Sequence, residues 1–123
     1  MIAHLRRIRL SSKKANLVAG MVRGMQVNDA LQILKHTPKK AAHHLYKVIA
    51  SAKANAVNNF KQNEDQLMIK EIVVNEGQTY KRFQPVSRGR AHPILKRTSH
   101  ITVKLEASAP TPTKSAKAEK ATA

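Results

Sequence analysis

Apolar and polar residues alternate most cleanly near the end of the chain, where Ile101, Val103 and Leu105 are interleaved with His100, Thr102 and Lys104. A period of two puts successive side chains on opposite faces of a strand, so this segment predicts a half-buried strand. QLMIKEIVVNE, residues 66–76, is rich in Ile and Val and also predicts a strand, although its two faces are not cleanly separated. Within AHLRRIRL, residues 3–10, the alternation Arg7, Ile8, Arg9, Leu10 suggests a third, short strand.

Between these segments the period lengthens to that of a helix. Ser11 or Ser12 offers an N-cap and Gly24 a stop for a helix through KKANLVAGMVRG. On its wheel Leu17, Val18, Met21, Val22 and Met25 form the apolar side, opposite Asn16, Ala19, Gly20 and Arg23. A second short helix starts at an Asn28 or Asp29 cap and runs through Ala30, Leu31, Ile33 and Leu34. Thr37 and Pro38 suit the N-cap and first position of a long helix reaching about Phe60. Its apolar side collects Ala41, Leu45, Val48, Ile49, Ala52, Ala56 and Phe60, with Lys40, His43, Lys47, Ala54, Asn58 and Lys61 opposite. After Glu106 the composition changes to ASAPTPTKSAKAEKATA, residues 107–123, which contains no large apolar residue and is expected to be disordered.

Charge sharpens this outline. The 123 residues carry 23 Lys plus Arg against 7 Asp plus Glu, a formal net charge of +16. Such a chain repels itself when compact, and a polyanion is the natural counter-charge; nucleic acid leads, because phosphate neutralisation releases condensed counterions. There is no cysteine, which fits a reducing, cytoplasmic setting, and no apolar run approaches the roughly 20 residues that span a bilayer. His4, His36, His43, His44, His92 and His100 lack metal-ligand spacing, and the few carboxylates and serines form no recognisable catalytic context. No enzyme, metal or cofactor is expected. Gly20 and Gly24 are read as a tolerated helix glycine and a helix stop.

The densest charge lies in GQTYKRFQPVSRGRAHPILKRTSH, residues 77–100, with six Lys or Arg, two His and no acid. If 66–76 pairs with 98–105, this segment leaves the sheet and returns as a long hairpin turning near Ser87 to Ala91 around Gly89. Arms of about ten residues reach roughly 30 Å at the usual strand rise. Tyr80, Phe83, Val86, Ala91, Ile94 and Leu95 are too few to build a core for it, so its order depends on what it touches. Lys81, Arg82, Arg88, Arg90, Lys96 and Arg97 are candidate phosphate or base contacts, and Tyr80 and Phe83 candidate base-stacking residues. A disordered basic loop is the structural rival, favoured by Pro85, Gly89 and Pro93 and opposed by the patterned strands on either side.

GRAHPILKRTSHITVKL, residues 89–105, resembles the signature of the large-subunit ribosomal protein twenty-two family, in its bacterial form. RLSSKKANLVAGMVRGM resembles that family's first helix and KKAAHHLYKVIASAKANAVNN its long helix, so the resemblance covers residues 1 to about 106 in order. Ser12 stands where many members have proline, and the His92 and Pro93 pair near the tip is less usual. The resemblance implies an α+β fold of three helices on a small antiparallel three-stranded sheet, with an extended hairpin at about 77–97. It also implies a structural role in the large ribosomal subunit: binding its RNA, supporting assembly and lining the nascent-peptide exit tunnel. The RNA contacts expected on this basis are Arg7, Arg9, Lys13, Lys14, Arg23, Lys40, Lys47, Lys81, Arg82, Lys96 and Arg97. Arg88, Gly89, Arg90, Ala91 and His92 would form the tunnel-lining tip. Large-subunit RNA, neighbouring ribosomal proteins and the nascent chain are the implied partners, with no membrane and no small-molecule substrate.

Three rivals compete on the residues alone. A DNA-binding regulator wants a recognition helix or dimer interface, and neither helix pair has a convincing turn for one. An RNA-processing enzyme wants a catalytic or metal-binding cluster. A membrane-surface protein wants its cations on one strongly amphipathic helix, whereas here they are spread over helices and hairpin.

Overall fold

The computed structural model describes residues 1–108. The chain runs β1 (Ile2–Ile8), α1 (Ser12–Val22), α2 (Val27–His36), α3 (Lys40–Asn58), β2 (Leu67–Glu76), β3 (Tyr80–Pro85), β4 (Ala91–Lys96) and β5 (Ser99–Ala107). The fold is α+β. A three-stranded antiparallel sheet in the order β1-β5-β2 packs its apolar face on the helices, and β3 and β4 form a separate hairpin. β5 is central because it returns from the hairpin between two strands laid down earlier, and its Ile101, Val103 and Leu105 are buried as the alternation predicts.

The mixed faces of β2 have a local cause. Its pairing with β5 slips between Ile69 and Glu71, and this bulge at Lys70 shifts the phase so that Ile69 and Ile72 both face the core. β1 carries a similar irregularity between Leu5 and Ile8, where Arg7 adopts a positive φ of 57°. The strand therefore ends at Ile8, short of the expected residue 10. Ile8 and Leu10 are nevertheless buried, as their alternation with arginine requires.

α1 is capped by Ser11, whose Oγ accepts from the Lys14 N–H (3.3 Å). Gly24 lies just beyond the helix at a φ of +75°, the left-handed conformation that glycine supplies most readily. The buried face of α1 differs from the one expected. Ala15, Val18, Ala19 and Val22 are buried, while Leu17 is 69% and Met21 51% exposed. α1 packs on both β2 and α3, and small side chains on the contact face permit that approach.

Thr37 also takes a different role. It caps the end of α2, its N–H donating to the Leu34 carbonyl (3.3 Å) and its hydroxyl to the Ile33 carbonyl (2.7 Å). α3 consequently starts at Lys40, with Lys39 at the N-cap, and ends at Asn58; α2 starts at Val27, with Gln26 at its N-cap. The expected apolar stripe of α3 is buried from Ala41 to Ala56, but Phe60 lies beyond the helix and is exposed. Of the segment expected to be a disordered tail, Ala107 pairs with Leu67 at the end of β5 and the Ser108 N–H donates to the Gln66 carbonyl (2.8 Å). The remainder of 107–123 lies outside the described residues.

Candidate nucleic-acid interface

The hairpin forms, with a shorter paired length than expected. Tyr80 to Pro85 pair with Lys96 to Ala91, six residues a side, or roughly 20 Å at the usual rise. Every residue of β3 is exposed and β4 buries only part of Ile94. At the tip the Val86 N–H donates to the Arg90 carbonyl (2.9 Å), and Arg88 and Gly89 reverse the chain with φ of 62° and 68°. Arg88, Gly89, Arg90, Ala91 and His92 thus sit together at the far end, exposed. Proline is tolerated in β4 because a two-stranded ribbon leaves half its N–H groups unpaired. Phe83 is 69% exposed, and the Arg82 guanidinium lies 6.0 Å from the Tyr80 ring centre.

The hairpin's root meets the globular part at a basic cleft of about 320 Å³, where Arg9, Lys14, Lys40, Lys96 and Arg97 converge with Leu10, Ser11 and Leu95. Four separate parts of the chain supply these cations: the turn after β1, the first turn of α1, the first turn of α3, and the end of β4. Neither helix has an acidic residue in its first turn, so no side-chain carboxylate there opposes the positive helix ends. The Lys40 ammonium reaches the Arg9 carbonyl (3.4 Å). Among the described residues Arg9, Lys14, Lys40 and Lys96 make no ion pair; Arg97 meets Glu76 at 3.4 Å. Lys13 lies beside that pair in an adjoining groove with Ser11 and Ser12.

Three expected contacts lie away from the root cleft. Arg23 donates from Nε (3.2 Å) and a terminal nitrogen (3.0 Å) to the Ile72 carbonyl and also bonds Asn16. It covers the free edge of β2. Arg7 stands on the edge strand β1, its N–H donating to His100 Nδ1 (3.1 Å). Lys47 lies away from the root cleft, on the α2 side of α3. Lys39, which is not among the expected contacts, is the N-cap residue of α3 and lines a groove beside Lys14 and Lys40. Among the described residues no group of three or more His, Cys, Asp or Glu is arranged to hold a metal ion, and no helix is long and apolar enough to cross a membrane.

His44 registers the local field. Partial burial lowers its pKa from the ordinary 6.5, helped by the positive charge of His43, Lys40 and Lys47. Below about pH 6.5 the unfolded chain therefore binds a proton that the fold resists, and stability falls as the pH drops through that value toward the depressed folded one. His44→Gln should flatten this part of the pH–stability curve in denaturant titrations of the free protein.

Residues 3–106 match the family model described as "Ribosomal protein L22p/L17e". Proteins named "Large ribosomal subunit protein uL22" are similar over most of their length. That of Mycoplasma mobile is 50% identical over 98 residues, 80% of this chain and 89% of the relative. The Mycoplasmopsis synoviae protein is 52% identical over 104 residues (85% and 92%), and that of Oleidesulfovibrio alaskensis 52% over 101 (82% and 92%). With its fold, its basic hairpin and a match spanning the sheet and all three helices, the chain belongs to the ribosomal protein L22p/L17e family, a family of structural ribosomal proteins and not of enzymes.

Proposed function

We propose that this protein is a structural constituent of the cytoplasmic large ribosomal subunit that holds ribosomal RNA at the root cleft and extends the β3–β4 hairpin along the nascent-peptide exit tunnel. The observation that carries the reading is the convergence of Arg9, Lys14, Lys40, Lys96 and Arg97 at the base of an exposed basic arm. Only Arg97 of the five has an acidic partner, and the like charges left unanswered raise the energy of the free protein and are relieved by phosphate. Residues 1–106 act as one unit in which the globular part supplies affinity and the hairpin supplies position. Lys81, Arg82, Tyr80 and Phe83 contact RNA along the arm, and Arg88 to His92 face the tunnel. Arg7 and Lys13 add peripheral phosphate contacts, and Arg23 contributes through the fold. Neighbouring ribosomal proteins and the nascent chain complete the partners.

A photo-crosslinker placed at position 90 of the full-length protein tests this reading in salt-washed ribosomes carrying a stalled nascent chain. Incorporation into large subunits with crosslinks to the nascent chain is expected. Incorporation without any such crosslink would remove the tunnel assignment, and failure of the unsubstituted protein to sediment with large subunits would remove the ribosomal one.

A further inference from the structure

On the other side of the α3 N-terminus from the hairpin, a second cleft of about 310 Å³ opens between the end of α2 and the first half of α3. Leu34, which is buried, and half-buried Tyr46 contribute apolar surface, and Lys35, Lys39, His43 and Lys47 supply polar groups. No carboxylate lines it, and among the described residues none of its lysines makes an ion pair. The His43 ring packs edge-on against His44, with centroids 5.9 Å apart. The site adjoins the groove that holds Lys14 and Lys40, since Lys39 lines both.

We propose that this cleft takes a single unstacked nucleotide of the bound RNA, its base against Tyr46 and Leu34 and its phosphates on Lys35, Lys39 and Lys47. The inference rests on the RNA-binding reading above and adds a base-holding site to it. The volume lies at the low end of the roughly 300–1,000 Å³ usual for ligand clefts, large enough for a nucleotide and too small for a duplex. An aromatic, partly apolar surface with cations around it suits a planar base carrying phosphate, since stacking and charge are met by different side chains. An acidic peptide would satisfy the lysines and leave the Tyr46 surface unused. An RNA strand leaving the root cleft along Lys40 and Lys39 reaches this site next.

The test is 2′-hydroxyl acylation of large-subunit RNA bound to the full-length protein, with two variants. Tyr46→Leu keeps an apolar side chain at 46 and removes the stacking face, whereas Lys35→Ala with Lys39→Ala leaves Tyr46 in place. The expected result is one or a few unpaired nucleotides protected by the unsubstituted protein. These should regain reactivity in both variants while the rest of the footprint persists, with affinity falling roughly five- to tenfold for Tyr46→Leu. Footprints identical to the unsubstituted protein in both variants would overturn the proposal and leave the root cleft intact as the RNA site. Recovery confined to base-paired nucleotides would also overturn it, since that describes backbone contact alone. An unsubstituted protein with no footprint anywhere would remove the RNA-binding reading itself.

Discussion

Replacing Lys14, Lys40 and Lys96 together with alanine should weaken binding to large-subunit RNA by roughly 10²–10³-fold at about 0.1 M salt. Each phosphate contact releases close to one counterion, so three lost contacts should reduce the slope of log K against log salt by about 3. All three side chains line the root cleft, and none makes an ion pair among the described residues. Lys104 is the control. It lies on the outer face of the sheet with its ammonium 3.1 Å from Glu71, so its charge is already answered and Lys104→Ala should leave the slope nearly unchanged. The triple variant should fold at least as stably as the parent, because removing like charges from one cleft relieves repulsion in the free protein. Thermal unfolding beside filter-binding titrations reads both effects. An unchanged salt slope, or an equal loss for Lys104→Ala, would show that the cleft is not the principal RNA site.

Gly77→Ala should destabilise the protein by about 1–3 kcal/mol and loosen the hairpin at its root, whereas Gly20→Ala should stabilise it by up to about 1 kcal/mol. The same added methyl acts oppositely because of what surrounds it. Gly20 lies in α1 with nothing within 4 Å of its new Cβ, so alanine brings only its better helix propensity. At Gly77 the Cβ would fall 2.5 Å from Thr98 Oγ1 and within 3.1–3.2 Å of the His100 ring. Thr98 is 3% exposed, and its hydroxyl donates to the Gln78 carbonyl at 2.6 Å while its own carbonyl accepts from the Gly77 N–H at 2.8 Å. Turning the Thr98 side chain away to admit the methyl breaks this part-buried hydrogen bond and leaves the buried Thr98 hydroxyl without its partner. This pair of strands is where the hairpin departs from the sheet, so the damage should show both in denaturant midpoint and in faster amide exchange at residues 77–80 and 96–98. A neutral Gly77→Ala would mean that the neck yields without cost and that the arm's direction is set elsewhere.

Much of the fold was legible because some segments carry a long one-sided pattern. β5 alternates for seven residues and α3 keeps one apolar stripe over four turns, so each declares its own buried face without reference to a partner. The hairpin followed from two strands that need each other and from Gly89 standing where a reversal was required; the positive φ of Arg88 had no mark in the sequence. Short elements gave weaker signals. In α1 both faces contain apolar residues, and side-chain size pointed to Leu17 and Met21; burial instead went to Ala15 and Ala19, because close packing on β2 and α3 selects small side chains. β2 showed mixed faces since a bulge at Lys70 resets its phase, and a bulge is a property of the pair, not of one strand.

Net charge and periodicity add along the chain, so the excess of cations, the buried faces of β5 and α3 and the basic segment between two strands can all be read from the residues alone. Which of the cations share a cleft depends on how the elements pack. Arg9 and Lys14 stand far from Lys40 and Lys96 in sequence, and the three groups meet only because β1 and β5 pair, α1 and α3 pack, and the hairpin departs beside both helix starts. The same folding ties Arg23 to the Ile72 carbonyl and, with α3 starting after Pro38, sets Lys39 in a groove with Lys14 and Lys40. A single charge carries no mark of its eventual neighbours; their spacing is set by how the apolar faces beneath them pack.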